Sequence, residues 1–150
     1  MLKSAKPTLH DLRAALPDLA AEAKDRATEF EAARKVRPDF VDKVKRVGGF
    51  KVLVPTHAGG LGASLPEWLE IAMTLAEADA STGWVNAHGN ICAGIIYASA
   101  DPRLRNEFFA DPDALAAWSS VPRVEVVEQT DGIRITGSWG FESGCTAATF

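Results

Sequence analysis

The spacing of hydrophobic positions along the chain changes near residue 117. Before that point, apolar residues recur every three or four positions, which is typical of helices buried on one face. After it, polar residues alternate with four apolar ones, namely Val124, Val126, Ile133 and Ile135. This period of two is typical of strands. The pattern predicts a mainly α chain, with a helical domain over residues 1–117 and the first strands of an incomplete β domain over residues 118–150.

Capping residues and prolines divide the helical part into segments. Pro17 is expected to end the first helix, and Gly48-Gly49 to end the third. Ser64 and Glu67 have the spacing of a capping box at the start of a later helix. The signals together predict six helices, at about 8–16, from 18 to before 38, 38–47, 64–79, 83–99 and from 101 onwards.

A β-hairpin is predicted after residue 120, with its turn at Thr130-Asp131-Gly132. Residues 118–120 are expected to add an earlier strand, and residues 147–150 a last one. Three or four strands with an open edge make a poor sheet by themselves. We therefore expect the last thirty or so residues to begin a β domain that the 150 residues do not complete.

Composition and charge limit the classes of protein to which the chain can belong. With 47% hydrophobic and 24% charged residues, the chain has the composition of a globular protein. A net charge of -4 argues against a nucleic-acid binder. Residues 80–100 carry no charged side chain, but their polar residues favour a buried helix over a membrane span. We see no export signal, and two distant cysteines favour a reducing compartment, so a cytoplasmic location is expected.

Two groups of residues have the chemistry of a binding site, whereas no histidine pair has the spacing of a metal site. Trp84 and His88 lie one turn apart in the uncharged helix. They suit the wall of a pocket for an aromatic ligand, or a core histidine packed on a core tryptophan. The second group is Trp139, Phe141 and Ser143. Two aromatic residues two apart on a strand share a face, which offers a planar ligand a stacking surface or packs the hairpin on the helices.

These groups and their surroundings resemble the acyl-CoA dehydrogenase superfamily, and within it the flavin-dependent monooxygenase branch. Members of that branch are the oxygenase components of two-component hydroxylases. The resemblance rests on GGF at 48–50, VP at 54–55 with GGLG at 59–62, ADASTGWV at 78–85 and ITGSWGFESGC at 135–145. Their order and spacing extend over nearly the whole chain. The resemblance is to the N-terminal portion of the family only.

The resemblance implies roles for particular residues. Ser143 would lie near flavin N5 as the catalytic residue, and Trp139, Phe141 and Gly144 would contact the flavin beside it. The substrate pocket would be lined by three residues of the uncharged helix, namely Trp84, His88 and Cys92. Cys92 occupies a position that is often histidine in the family.

The resemblance also implies a reaction and partners. A separate reductase would supply reduced FMN or FAD, with no metal, and one atom of O₂ would be transferred to an aromatic or related small molecule. We also expect a homo-oligomer, and no nucleic-acid or membrane partner. Two alternatives stay open, namely an acyl-CoA dehydrogenase and a truncated, non-catalytic helical module that acts through protein contacts. The 150 residues alone are expected to be inactive and to bind flavin weakly or not at all.

Overall fold

The computed structural model describes residues 6–150 and is mainly helical, as predicted. The helices are α1 (Leu9–Asp25), α2 (Ala27–Ala33), α3 (Pro38–Arg46), α4 (Leu65–Ala78), α5 (Ala80–Ser99) and α6 (Pro102–Ala110). A single 3₁₀ turn, Thr56–Ala58, lies between α3 and α4. Strands β1 (Val121–Gln129) and β2 (Gly132–Gly140) follow the helices.

The predicted end of the first helix at Pro17 is wrong, because α1 runs through this residue. Leu12 and Leu19, on either side of the proline, are both buried on the face that α1 turns to the core. A proline inside a helix costs about 3 kcal/mol, and burying each leucine contributes about 1.5–3 kcal/mol. The packing of the helix therefore offsets the local cost of its proline.

The first helix ends instead at Arg26, whose φ of -102° and ψ of 6° interrupt the hydrogen-bond ladder. Its guanidinium donates to Glu22, Glu29 and Asp39 at 2.8, 2.8 and 2.7 Å. These bonds raise the pKa of Arg26 and lower the pKa of Glu29 and Asp39, whereas the pKa of Glu22 is lowered first by its hydrogen bond to Lys43 and then by Arg26. Lys43 of α3 bonds Glu22 as well, at 2.7 Å. The network ties α1, α2 and α3 together around the break.

Helix α5 is held in the fold by side-chain amides rather than by apolar residues alone. Asn90 accepts a hydrogen bond from the backbone N–H of Val52 at 2.7 Å and donates to the carbonyl of Gly49 at 2.8 Å. Asn86 donates to the same carbonyl at 2.8 Å. Nearer the start of the helix, Gly83 lies so close to Ala76 of α4 that a Cβ would overlap it. These contacts fix α5 against both α4 and the segment that follows α3.

The predicted hairpin is present, with a two-residue turn between Gln129 and Gly132. Val126 pairs with Ile135, and alternation along the two strands places this pair on one face together with Val124 and Ile133. That face is exposed in the described residues, with 42–62% of Val124, Val126, Ile133 and Ile135 accessible.

The strands predicted at residues 118–120 and 147–150 are wrong. Neither segment is a strand in the described part of the chain. Residues 147–150 instead return to the helical part, where the N–H groups of Thr149 and Phe150 donate to the carbonyl of Leu115 at 2.7 and 3.2 Å. The Phe150 ring packs edge-on against Phe108, with 5.2 Å between their centres. This ring contact and the two bonds to Leu115 hold the last residues against the helical part.

Within residues 6–150, no helix combines the length and the hydropathy that crossing a membrane requires.

Candidate functional site

Trp84 projects from the first turns of α5 and is 63% exposed. The helix begins at Asp79, whose carboxylate accepts a hydrogen bond from the backbone N–H of Thr82 at 2.6 Å. The indole Nε1 of Trp84 donates to the hydroxyl oxygen of Ser143 at 2.7 Å, across 59 positions of sequence. This bond joins the two groups of residues that the sequence singled out separately.

Ser143 lies in a tight turn that follows β2. Phe141 leaves the strand with a φ of 56°, which is uncommon for a bulky residue, and its side chain is 93% exposed. The Ser143 N–H donates to the Phe141 carbonyl at 3.0 Å, and Gly144 follows with a φ of 85°. The expectation that Phe141 and Trp139 share a strand face is wrong, because β2 ends at Gly140.

His88 lies one turn along α5 from Trp84 and stacks on it, with 6.3 Å between ring centres and 23° between planes. Its Nε2 is 3.3 Å from the carbonyl oxygen of Trp118. The imidazole therefore packs against the indole ring and links it to the segment that precedes β1. The pairing expected from their helical spacing is present in the fold.

A cavity of about 620 Å³ opens beside the Trp84–Ser143 bond. Its apolar lining comes from the helical part and from the last residues, namely Phe30, Val36, Val41, Val85 and Ala147. Charged residues lie at its edge, namely Glu31, Arg34, Lys35 and Glu142. Phe30, Val36 and Val41 were not predicted as site residues, because only the tertiary packing of α2 and α3 brings them to Trp84.

Of the three predicted pocket residues, only Trp84 lines this cavity; His88 stacks on it outside the lining, and Cys92 lies elsewhere. This cysteine is 3% exposed and packs in a core cluster with Val54, Ala93 and Phe108. Burial raises the pKa of its thiol, which keeps it protonated. Trp139, 46% exposed, lies on the apolar face of the hairpin and is not part of the cavity lining either.

The groups around Ser143 fit a flavin on two counts. The Ser143 oxygen accepts from Trp84, and within residues 6–150 no hydrogen bond uses its O–H, which stays available to a ligand nitrogen. The exposed rings of Trp139 and Phe141, four and two residues before Ser143 in the sequence, offer a planar ligand apolar surface. In the same residues, no three His, Cys, Asp or Glu side chains lie together as a metal site would require.

Comparison with known proteins gives a consistent result. The family described as acyl-CoA dehydrogenase, N-terminal domain, matches residues 6–111. Indole-3-acetate monooxygenase of Acinetobacter baumannii is 30% identical over 135 residues, which are 89% of this chain and 34% of that protein. The oxygenase component of the FADH(2)-dependent resorcinol hydroxylase of a Rhizobium species is 32% identical over 123 residues, or 81% of this chain and 30% of that protein.

Among solved structures, the HsaA monooxygenase from Mycobacterium tuberculosis superposes with a TM-score of 0.82 at 29% identity. The superposition covers 95% of this chain and 37% of that one. The chain thus spans about a third of the length of the relatives that it matches.

Proposed function

The chain belongs to the acyl-CoA dehydrogenase family through its N-terminal domain, and on this premise we propose that it forms the N-terminal part of a flavin-dependent monooxygenase. The observation that carries the proposal is the 2.7 Å hydrogen bond from Trp84 to Ser143. It places an aromatic helix residue and a serine hydroxyl side by side at the mouth of a cavity. Residues 1–117 would supply the helical wall of the site, and residues 118–150 the start of the flavin-binding β domain.

Each residue of the site has a part in this proposal. Ser143 would hold flavin N5 through its hydroxyl, which the indole of Trp84 keeps in place. Trp139, Phe141 and the backbone of Gly144 would contact the flavin ring. Trp84 would line the substrate side, and His88 would fix its orientation by stacking.

When bound, a reduced flavin supplies the electrons that activate O₂ for transfer of one oxygen atom. The chain's own part is to bind and orient the ring and to exclude water. The apolar lining of the cavity suits the last of these tasks. Cys92 has no part here, since it lies in the core.

The substrate we propose is an aromatic or related small molecule, and the partner is a reductase that delivers reduced FMN or FAD. The support is the relatives' names: one is an indole-3-acetate monooxygenase and another is an FADH(2)-dependent resorcinol hydroxylase, oxygenase component. These names favour the monooxygenase over an acyl-CoA dehydrogenase. We further propose a homo-oligomer as the working form.

Flavin contact can be tested through the chain's four tryptophans, because each indole N–H gives its own NMR signal. We expect titration with FMN or FAD to shift the signals of Trp84 and Trp139 by ring currents. Trp68 is buried in the core and serves as the internal control, because its signal should not shift. We expect weak binding and no hydroxylation by this chain alone, so the measurement reads contact and not turnover.

A pair of serine variants makes the test specific. Ser143→Ala removes the hydroxyl that Trp84 holds, and we expect it to weaken the flavin-induced shifts at least threefold. Ser138→Ala is the matched control, because Ser138 lies on the polar face of β2 opposite Arg123. Equal flavin-induced shifts in the two variants, or shifts of Trp68 as large as those of Trp84, would contradict the proposal.

A further inference from the structure

A second cavity, of about 550 Å³, lies on another part of the helical surface. It is bounded by the 3₁₀ turn after α3, the last turns of α5, and α6. Its charged and aromatic lining side chains are Lys6, His57, Tyr97, Arg105 and Phe109. It shares no lining residue with the cavity beside Trp84 and Ser143.

The lining of this cavity is basic, although residues 52–150, which supply Arg105, hold 4 basic and 12 acidic side chains. The cavity contains Lys6 and Arg105 together with His57, and no carboxylate is among its lining residues. In the described part of the chain, none of these three side chains forms a salt bridge. The charges of Lys6 and Arg105 are therefore available to a ligand.

Neighbouring groups hold these side chains in place. His57 Nε2 lies 3.1 Å from the hydroxyl of Tyr97. Arg105 donates one N–H to the Tyr97 carbonyl at 3.2 Å, which leaves most of its five donors for other partners. The Tyr97 and Phe109 rings meet edge to face, with 6.2 Å between centres. The site thus combines a positioned guanidinium with an ordered aromatic wall.

We propose that this cavity binds a small aromatic carboxylate. The carboxylate would meet Arg105 and Lys6, since a guanidinium and a carboxylate form short, charge-assisted hydrogen bonds. The ring of the ligand would pack against Tyr97 and Phe109, whose edges favour aromatic neighbours. His57, held by the tyrosine hydroxyl, would contact the ligand from the side of the 3₁₀ turn. The site is separate from the proposed flavin site and does not depend on it.

The probe we choose is benzoate, with benzamide as its neutral analogue of the same shape and inorganic phosphate as an anion without a ring. We expect calorimetry on the 150-residue chain to give a millimolar Kd for benzoate and at least tenfold weaker binding for the other two. Benzamide binding as tightly as benzoate would overturn the role of the cations. Phosphate binding as tightly would overturn the role of the aromatic wall.

Imidazole NMR locates the ligand without any substitution. The chain has three histidines, and His88 belongs to the Trp84 site. We expect benzoate to move the His57 signals and to leave those of His10 and His88 in place. If the His88 signals shifted and the His57 signals did not, the ligand would be assigned to the other cavity and the proposal would be refuted.

Two arginine variants of α6 complete the test. Arg105→Gln keeps an N–H for the Tyr97 carbonyl but removes the charge, and we expect it to weaken benzoate binding about tenfold. Arg103→Gln, on an exposed position of the same helix outside the cavity, is the matched control and leaves the Kd unchanged. Equal affinity of the two variants, both folded by circular dichroism, would overturn the assignment of Arg105.

Discussion

Replacing Asn90 by leucine tests whether α5 is held by its amides. Asn90 is fully buried and makes three hydrogen bonds, to the Val52 N–H, the Gly49 carbonyl and the Asn86 carbonyl, at 2.7, 2.8 and 3.0 Å. Leucine has a similar volume, so Asn90→Leu removes the bonds without leaving a large cavity. The Val52 N–H, also buried, is then left without an acceptor.

The magnitude follows from these contacts. An unpaired buried N–H costs about 1–3 kcal/mol, and each of the other two bonds contributes about 1 kcal/mol. We expect Asn90→Leu to lower the free energy of unfolding by about 3–5 kcal/mol. For a chain of this length, that corresponds to a fall in Tm of about 6–20 °C.

Asn86→Leu is the matched control, one turn earlier on the same buried face. The Asn86 side chain makes a single bond, to a Gly49 carbonyl that Asn90 also satisfies, and its amide oxygen Oδ1 has no partner within residues 6–150. We expect its loss to cost about 1 kcal/mol or less. Thermal melting and urea unfolding measure both variants, and hydrogen exchange at Val52 should become fast in Asn90→Leu only. Equal melting temperatures for the two variants would refute the reasoning.

Two further predictions concern close packing and pH. Gly83→Ala should destabilise the fold by about 2 kcal/mol or more, because the new Cβ overlaps Ala76, whereas Gly94→Ala on the same helix meets open space and should stabilise it by up to about 1 kcal/mol. Thermal melts that rank the pair the other way would contradict the close approach of α4 and α5. Burial lowers the pKa of Lys51, so between its folded pKa and 10.5 the unfolded chain binds more protons and the stability contributed by Lys51 rises with pH. Lys51→Met should abolish that rise, which urea unfolding of both proteins across this pH range measures. A difference in the free energy of unfolding between the two proteins that does not change with pH would contradict the prediction.

Much of the helical order could be predicted because its signals are local. The carboxylate of Glu67 accepts from the Ser64 N–H at 2.8 Å, as the capping-box spacing predicted. Pro38 and Pro102 each stand at the first position of a helix, where a missing N–H costs nothing. The hairpin also followed from alternation and a turn signal. The helix signals act within about four residues, and the hairpin is set by its two-residue turn between adjacent strands.

The site could be predicted only in pieces. The Trp84–His88 stack followed from helical spacing, and the resemblance to a known family assigned Ser143 a role. The bond between Trp84 and Ser143 crosses 59 positions, and no local pattern specifies such a contact. The same limit applies to Cys92, which is apolar enough to line a pocket or to fill a core, and which the packing of Phe108 places in the core.

By itself, the sequence determined the mainly helical class, most helix starts and the hairpin, because capping and alternation act between near neighbours. Only the tertiary structure decided that α1 passes through Pro17, that Asn90 binds the backbone at Val52, and that the last residues return to Leu115. The physical reason is common to all three. A buried large side chain contributes about 1.5–3 kcal/mol and a hydrogen bond about 1 kcal/mol, so several of them together override a local preference of about 3 kcal/mol.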